Sequence, residues 1–417
     1  MHGVGNIFSD RDTWFFRSPK RMFWLCAVWA CTIFSVYEIS LDIVHYLDHP
    51  VNTIFKVTYV NELTFPAITI CNNNQITKSW AMSSPSMRVI QNYYSHPGQA
   101  SLPMNLSSYN WTGFSFDQLM FEAGHKVKDT VFLCKWKGVS CSVADFTPES
   151  TFLGGCFTFN ANQSLRVSGT GIDNALHLVL NVQQDEYVGN SSSGAGFRLL
   201  FREAHEPPNT DRFDMALQPG TQTLISLTVK NLSSLPAPYG DCKEGNDLKM
   251  FNKYSVTACA YECRTRIAGE RCGCREMHPS GINTTIPGCL PQVYRDCLKP
   301  TIIDINTKGM CSSCHVPCQK STYIPRLSYS QYPSNHIADN MAKAMNETRQ
   351  FIRDNFLEVD IYLEDMIVET VEQQPAYSLS NLVGVIGGTL GVFIGASILT
   401  ITEFLQFFIS LIPFQRQ

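Results

Sequence analysis

Residues Gln373–Thr402 run for 30 positions without a charged side chain. About 20 apolar residues cross the hydrocarbon core of a bilayer, so this stretch is long enough to span one with residues to spare. It is also rich in small side chains. Gly384 and Gly388 are four apart, and Gly387, Gly391 and Gly395 repeat at the same step. That step is close to one helical turn, so the glycines line one side of a helix. Small residues on one face let membrane helices approach closely. Two readings follow: an anchor that dimerises through its glycine face, or a pore-lining helix with Gly395-Ala396-Ser397 as its tight point.

A second apolar stretch, Met22–Tyr37, continues to about Tyr46. It is long for a cleaved leader, and no small-residue cleavage pattern closes it. Arg17, Lys20 and Arg21 precede it, and positive residues favour the cytoplasmic side. Of 16 cysteines, only Cys26 and Cys31 lie in this stretch; the rest fall between the two, from Cys71 to Cys318. So do the N-glycosylation sequons at Asn105, Asn110, Asn162, Asn190, Asn231, Asn283 and Asn346. An even cysteine count beside dense sequons implies an oxidising, extracellular domain held by disulfides. The expected order is a cytoplasmic segment 1–21, a span 22–46, an ectodomain 47–376, a second span 377–412 and a tail 413–417. Both ends are then cytoplasmic and the protein is a two-span plasma-membrane protein. A net charge of -4 with 16% charged residues implies no nucleic-acid partner.

Glu38 and Asp42 fall near the outer face, either solvated there or lining a vestibule that collects cations. Asn61–Cys71 reads as a short β-rich run soon after the first span. Leu357, Val359, Ile361 and Leu363 alternate with Glu358, Asp360, Tyr362 and Glu364, a period-2 strand just before the second span. If these two strands pair, one sheet is tied to both membrane helices. Phe116–Lys128, Tyr254–Ile267 and Ile337–Asn355 read as helices. Phe157–Thr170, Ala175–Tyr187, Phe197–Phe201 and Thr221–Val229 read as strands, so the ectodomain is α+β with strands dominating.

Ten cysteines lie between positions 242 and 318. Cys259 and Cys263 share a helix face, and Cys311, Cys314 and Cys318 follow at steps of three and four. Antiparallel nesting favours Cys263–Cys311, Cys259–Cys314 and Cys242–Cys318, with Cys272, Cys274, Cys289 and Cys297 in two inner bridges. Spacing alone leaves the connectivity open. Cys272-Gly273-Cys274 and the Cys311/Cys314 pair raise zinc as a rival, which an oxidising compartment disfavours; no metal is expected.

Thr64-Phe65-Pro66-Ala67-Ile68-Thr69-Ile70-Cys71, the dense cysteine array and Gly391-Val392-Phe393-Ile394-Gly395-Ala396-Ser397 together resemble the degenerin/epithelial sodium channel family, over nearly the whole chain. The resemblance implies a trimeric, sodium-selective, amiloride-sensitive channel in the plasma membrane. It implies an ectodomain of palm, knuckle, finger (about 72–155), β-ball and thumb (about 242–320). It places Cys71 with Cys156, Cys134 with Cys141, Cys272 with Cys297 and Cys274 with Cys289. His2-Gly3 fits the family's cytoplasmic gating motif, with only Met1 before it, so the natural amino terminus is expected to be longer. Tyr239 matches an aromatic that couples thumb and wrist to the first span. Gly395, Ala396 and Ser397 match the selectivity filter, where oxygens of small residues replace ion hydration. Glu403 follows as a carboxylate ring, and Gly384 matches an outer pore position where bulky residues hold relatives open.

Acid-sensing relatives use clustered carboxylates, and Asp185-Glu186 matches one half of that cluster. The opposing loop, Met277–Gly288, carries no acidic residue, and Val385 replaces an acid common at the pore mouth of such relatives. Like charges must be close to raise a carboxyl pKa, so proton gating is the alternative here. A lone surface histidine, His49, adds little to it. The favoured ligand is an FMRFamide-type peptide, with Phe114, Phe116, Asp117, Phe121 and Glu122 as candidate contacts. No H-E-x-x-H, G-x-S-x-G or phosphate-binding loop is present, so neither an enzyme nor a cofactor is expected. A two-span receptor is the remaining non-channel reading.

Overall fold

The computed structural model describes residues 19–83, 116–151, 153–188, 193–204, 206–208, 215–276 and 282–395. They fall into two compact units. One gathers described residues of 19–54, 237–240 and 373–395, the other those of 55–236 and 241–372.

The first unit is helical. Helix α1 spans Pro19–Leu47. Its Arg21–Leu47 portion is long and apolar enough to cross a membrane.

The strands, in chain order, begin with β1 Val51–Tyr59, β2 Leu63–Thr64, β3 Ala67–Asn72, β4 Val131–Trp136 and β5 Val139–Ser140. They continue as β6 Phe146–Thr151, β7 Gly154–Phe159, β8 Arg166–Val167, β9 Leu176–Asn181 and β10 Phe197–Arg202. The last are β11 Met215–Leu217, β12 Thr221–Ser233, β13 Gln319–Gln331 and β14 Phe356–Pro375. One sheet runs β13-β12-β14-β9-β4-β5, with β1 also paired to β14. A second runs β11-β10-β3-β7-β6, and β2 pairs β8.

The two larger sheets share one apolar core. Leu357, Val359 and Ile361 of β14 stand opposite Leu180, Leu178 and Leu176 of β9. Ile361 and Leu363 lie beside Ile225 and Leu227 of the parallel neighbour β12. All of these are fully buried, as are Phe65, Ile68 and Ile70 from the side of the second sheet. Within β14, β9 and β12, alternation with period two puts these residues of each strand on one face. Fully burying each such side chain contributes about 1.5–3 kcal/mol.

Cysteine bridges reinforce this frame. Cys71–Cys156 links cross-strand neighbours of β3 and β7, and Cys134–Cys141 closes the β4–β5 hairpin. Helix α2, Phe116–Ala123, precedes that hairpin. Helix α3, Val256–Cys272, starts at Ser255, whose hydroxyl accepts from the Ala258 N–H, and ends at Gly273 with φ 68°. Cys259–Cys314 and Cys263–Cys311 hold one face of α3, and Cys242–Cys318 closes its base. Cys272–Cys297 and Cys274–Cys289 tie its far end toward helix α4, Lys299–Lys308.

Several elements differ from the sequence expectation, each for a local reason. The Asn61–Cys71 run does not pair with β14; it divides into β2 and β3, and β3 joins β7 and β10. The partner of β14 is β1, which is almost wholly exposed and so carries no burial signal. Strand β14 runs to Pro375, well past Glu364. The Ile337–Asn355 helix is two, α5 Asn335–Met345 and α6 Arg349–Asn355, broken where Asn346 adopts φ 57° and Thr348 caps the next turn. The Phe157–Thr170 strand is interrupted by Asn160 and Gln163, both at positive φ. Helix α3 runs on to Cys272, five residues past Ile267.

Ile361→Ala should therefore destabilise the protein by about 2–5 kcal/mol. Leu327→Ala, on the 42% exposed side of β13, should cost well under 1 kcal/mol. Thermal melts of the detergent-solubilised protein check the contrast.

Candidate functional site

Strand β14 is followed after residues 376–378 by helix α7, Leu379–Ile394. The Ser378 hydroxyl accepts from the Asn381 N–H and starts it. Gly395 ends it as a left-handed cap with φ 65°, its N–H bonded to the carbonyls of Gly391 and Leu390. A left-handed residue costs glycine no Cβ clash, which explains a helix stop inside an apolar run. Phe393 packs edge-on against Phe34 of α1, ring centroids 4.9 Å apart. On the rest of α7 the small residues are open: a Cβ built on Gly384, Gly387, Gly388 or Gly391 meets nothing within 4 Å. Ala396, Ser397 and Glu403 lie outside the described residues, as do His2, Gly3 and Phe114.

In the same unit the Tyr239 ring lies 5.0 Å from that of His49. His49 is not a surface histidine. It is half-buried just past α1 at φ 49°, and its Nδ1 is buried without a hydrogen-bond partner among the described residues.

In the second unit, Glu186 is already engaged: its carboxylate accepts from the Ser79 N–H at 2.8 Å. Asp185 is exposed beside it. Phe116, Asp117, Phe121 and Glu122 all lie on α2; Phe121 is half-buried and Glu122 exposed. Just beyond α2, His125 is buried between Asn74, which donates to its Nε2 at 3.0 Å, and Gln183, 2.8 Å from its Nδ1. Burial holds its pKa below the ordinary histidine value.

Among the sequons, Asn162, Asn283 and Asn346 are exposed. Asn231 sits in β12 between β13 and β14, half-buried, its Oδ1 enclosed with no hydrogen-bond partner among the described residues. Asn105, Asn110 and Asn190 lie outside the described residues.

The sequence reading missed one cluster. His177 of β9 stands directly opposite Asp360 of β14, and Nδ1 lies 2.7 Å from Oδ1. Glu358, two residues earlier on β14, completes a group whose ligating atoms lie within 4.8 Å of one another. Among the described residues this group alone has spacing suited to a metal, but a hydrogen bond already fills its narrowest gap. The Asp360 carboxylate is 4% exposed. Its hydrogen bond holds the His177 pKa above the ordinary value, against partial burial and the repulsion of Lys135 on β4. Burial, with Asp360 beside it, raises the Glu358 carboxyl, whose Oε1 accepts from Gln222 of β12 at 2.7 Å. His177 and Asp360 are 183 residues apart, so spacing could not join them. The one available signal was a histidine in the polar phase of an otherwise apolar strand.

A family model described as "Amiloride-sensitive sodium channel" matches residues 1–407. The chain belongs to this family. It is a sodium channel and not an enzyme. Acid-sensing ion channel 1 of Gallus gallus is 33% identical over 436 residues, covering 98% of this chain and 81% of the relative. Acid-sensing ion channel 1B of Danio rerio is 32% identical, covering 100% and 76%. Acid-sensing ion channel 2 of Homo sapiens is 30% identical, covering 99% and 85%. A solved proton-activated chloride channel covers 92% of the chain at 7% identity and a TM-score of 0.38, a likeness that carries no argument. Family members are plasma-membrane channels, and sodium permeation and amiloride sensitivity fit the family.

The raised His177 pKa fixes a sign for this channel. The stability that the Asp360 contact supplies is fully present below the unfolded histidine value, about pH 6.5, and is lost as pH rises through the higher folded value. Asp360→Asn should therefore cost about 1.5–3 kcal/mol at pH 6, the range for a hydrogen bond to a charged group, and clearly less at pH 9. Melting midpoints at the two pH values test this; an equal loss at both would contradict it.

Proposed function

We propose that the chain assembles as a homotrimer of two-span subunits and forms a sodium-selective, amiloride-blocked channel opened by extracellular acid. Helices α1 and α7 are its spans, both ends are cytoplasmic, and the open glycine face of α7 lines the pore. Gly395-Ala396-Ser397 forms the filter, with Glu403 below it as a carboxylate ring. Three α7 helices meeting on an axis need small facing residues, and among the described residues a Cβ at Gly384, Gly387, Gly388 or Gly391 meets nothing within 4 Å, which leaves that face available.

The observation that carries the gating reading is the His177–Asp360–Glu358 cluster. Acid charges His177 against Asp360, which tightens β9 onto β14. Strand β14 continues along the chain into the pore helix. A ligand shifts a two-state channel by its differential affinity for the states; here the proton is that ligand. The printed names of the relatives agree with this reading.

One observation favours a second reading. Glu186 is committed to a backbone N–H, and the loop that would oppose it has no carboxylate. An FMRFamide-type peptide, with its aromatic ring, its arginine and no free carboxylate, would then open the channel from α2, through Phe114, Phe116, Asp117, Phe121 and Glu122.

Voltage clamp of oocytes expressing the chain separates the two. A step from about pH 7.5 to about pH 6, across the imidazole range, should evoke an inward sodium current that amiloride blocks. His177→Gln should weaken or shift that response. Gly384→Phe, which has open space to occupy, should give current without acid at undiminished surface expression. Current only on peptide addition at constant pH would replace the proton reading. No sodium current in any condition, Gly384→Phe included, would defeat the channel assignment.

A further inference from the structure

A cavity of about 420 Å³ opens on the second unit, between the β4–β5 hairpin, β7 and the loop 160–165. Its size falls within the roughly 300–1,000 Å³ of small-ligand pockets. Trp136, backed by Phe65 at 4.5 Å and Phe159 at 6.0 Å, supplies an aromatic wall. Around it stand polar side chains: Ser140, Asp145, Thr147 and Ser164. The sequon residue Asn162 itself lies on the lining.

The loop holding Asn162 is pinned. Asn160 donates to the Phe65 carbonyl at 2.8 Å and accepts from the Leu165 N–H at 3.1 Å. The middle residue of the sequon, Gln163, turns inward, donating to the Arg202 carbonyl at 3.0 Å and accepting from the Ala204 N–H at 2.7 Å. Asn162 is thereby left exposed. Its Oδ1 accepts from the Ser164 N–H at 3.3 Å, in the local turn that asparagine favours. Asn231 offers the opposite case, a sequon inside a strand paired on both sides, with its amide oxygen enclosed.

We propose that Asn162 is N-glycosylated and that the first sugars of its own glycan fill this cavity, whereas Asn231 stays unmodified. The attachment transfers an oligosaccharide from a polyprenyl diphosphate donor. The bond from sugar C1 to the Asn162 amide nitrogen forms, the bond from C1 to the diphosphate oxygen breaks, the amide loses one proton, and polyprenyl diphosphate leaves. A sugar ring offers an apolar face of C–H groups and a rim of hydroxyls. The first suits the Trp136 indole, an amphipathic aromatic surface, and the second suits Ser140, Asp145, Thr147 and Ser164. Because the loop is fixed at both ends, the glycan leaves from a fixed point on the cavity rim, so docking it costs little further ordering. The proposal rests on reading the second unit as extracellular.

The test uses the full chain from eukaryotic membranes. Glycopeptide mass spectrometry gives occupancy at each sequon, and peptide-N-glycosidase release is then timed on the native protein at Asn162 and Asn346. Occupancy is expected at Asn162 and Asn346 and absent at Asn231. Native release at Asn162 should be at least about tenfold slower than at Asn346, since cleavage must await local opening. Trp136→Ala should erase that difference; if the variant does not reach the surface, the wild-type comparison decides alone. An empty Asn162 beside an occupied Asn346, or equal release rates, overturns the proposal and leaves the extracellular reading standing. No occupancy at any sequon overturns both.

Discussion

The pairing of β14 with β9 and β12 is the constraint on which the rest depends. Leu357, Val359, Ile361 and Leu363 are all fully buried in the core, and their alternation fixes a single register. A slip of one residue would turn that whole apolar set over and bury its polar neighbours instead. The same register sets Asp360 opposite His177. The His177–Asp360 pair is thus not an added site but a by-product of how the core is aligned. Strand β14 also lies, in chain order, three residues (376–378) before α7. A proton at His177 therefore acts on an element that leads, along the chain, into α7, the helix we propose lines the pore.

The cysteine-rich segment follows a different logic. Helix α3 and its surroundings contribute a small apolar cluster, with Ala268 and Leu298 among its buried members. Five bridges between Cys242 and Cys318 supply what that core does not. Cross-linking of this kind stabilises chiefly by restricting the unfolded chain. The arrangement leaves the segment stiff without needing the deep burial that the sheets provide.

Much of this was legible in the sequence, for identifiable reasons. Helix α1 and the Leu357–Leu363 strand announce themselves because one is a continuous apolar run and the other alternates with period two. The glycine step on α7 is likewise visible, and Gly395 marks its end because only glycine takes that backbone freely. Other features were not legible. Strand β1 buries almost nothing, so its pairing with β14 leaves no pattern in the sequence, and Asn61–Cys71 carries the stronger strand signal. The break at Asn346 depends on a left-handed asparagine that helical periodicity overlooks. His177, Asp360 and Glu358 escaped because contact across a sheet is set by register, which local spacing does not encode. Asp360 misled further: it sits in the polar phase of its strand, yet both faces are covered there and it is buried.

Amide hydrogen exchange of β9 and β14 in the purified channel tests the central claim most directly. Rates are compared at about pH 8 and about pH 6, on either side of the unperturbed imidazole value, after correction for intrinsic exchange. The account predicts stronger protection of Leu176–Asn181 and Phe356–Leu363 at the lower pH, and loss of that difference in His177→Gln. Protection that is unchanged or weaker on acidification would contradict it.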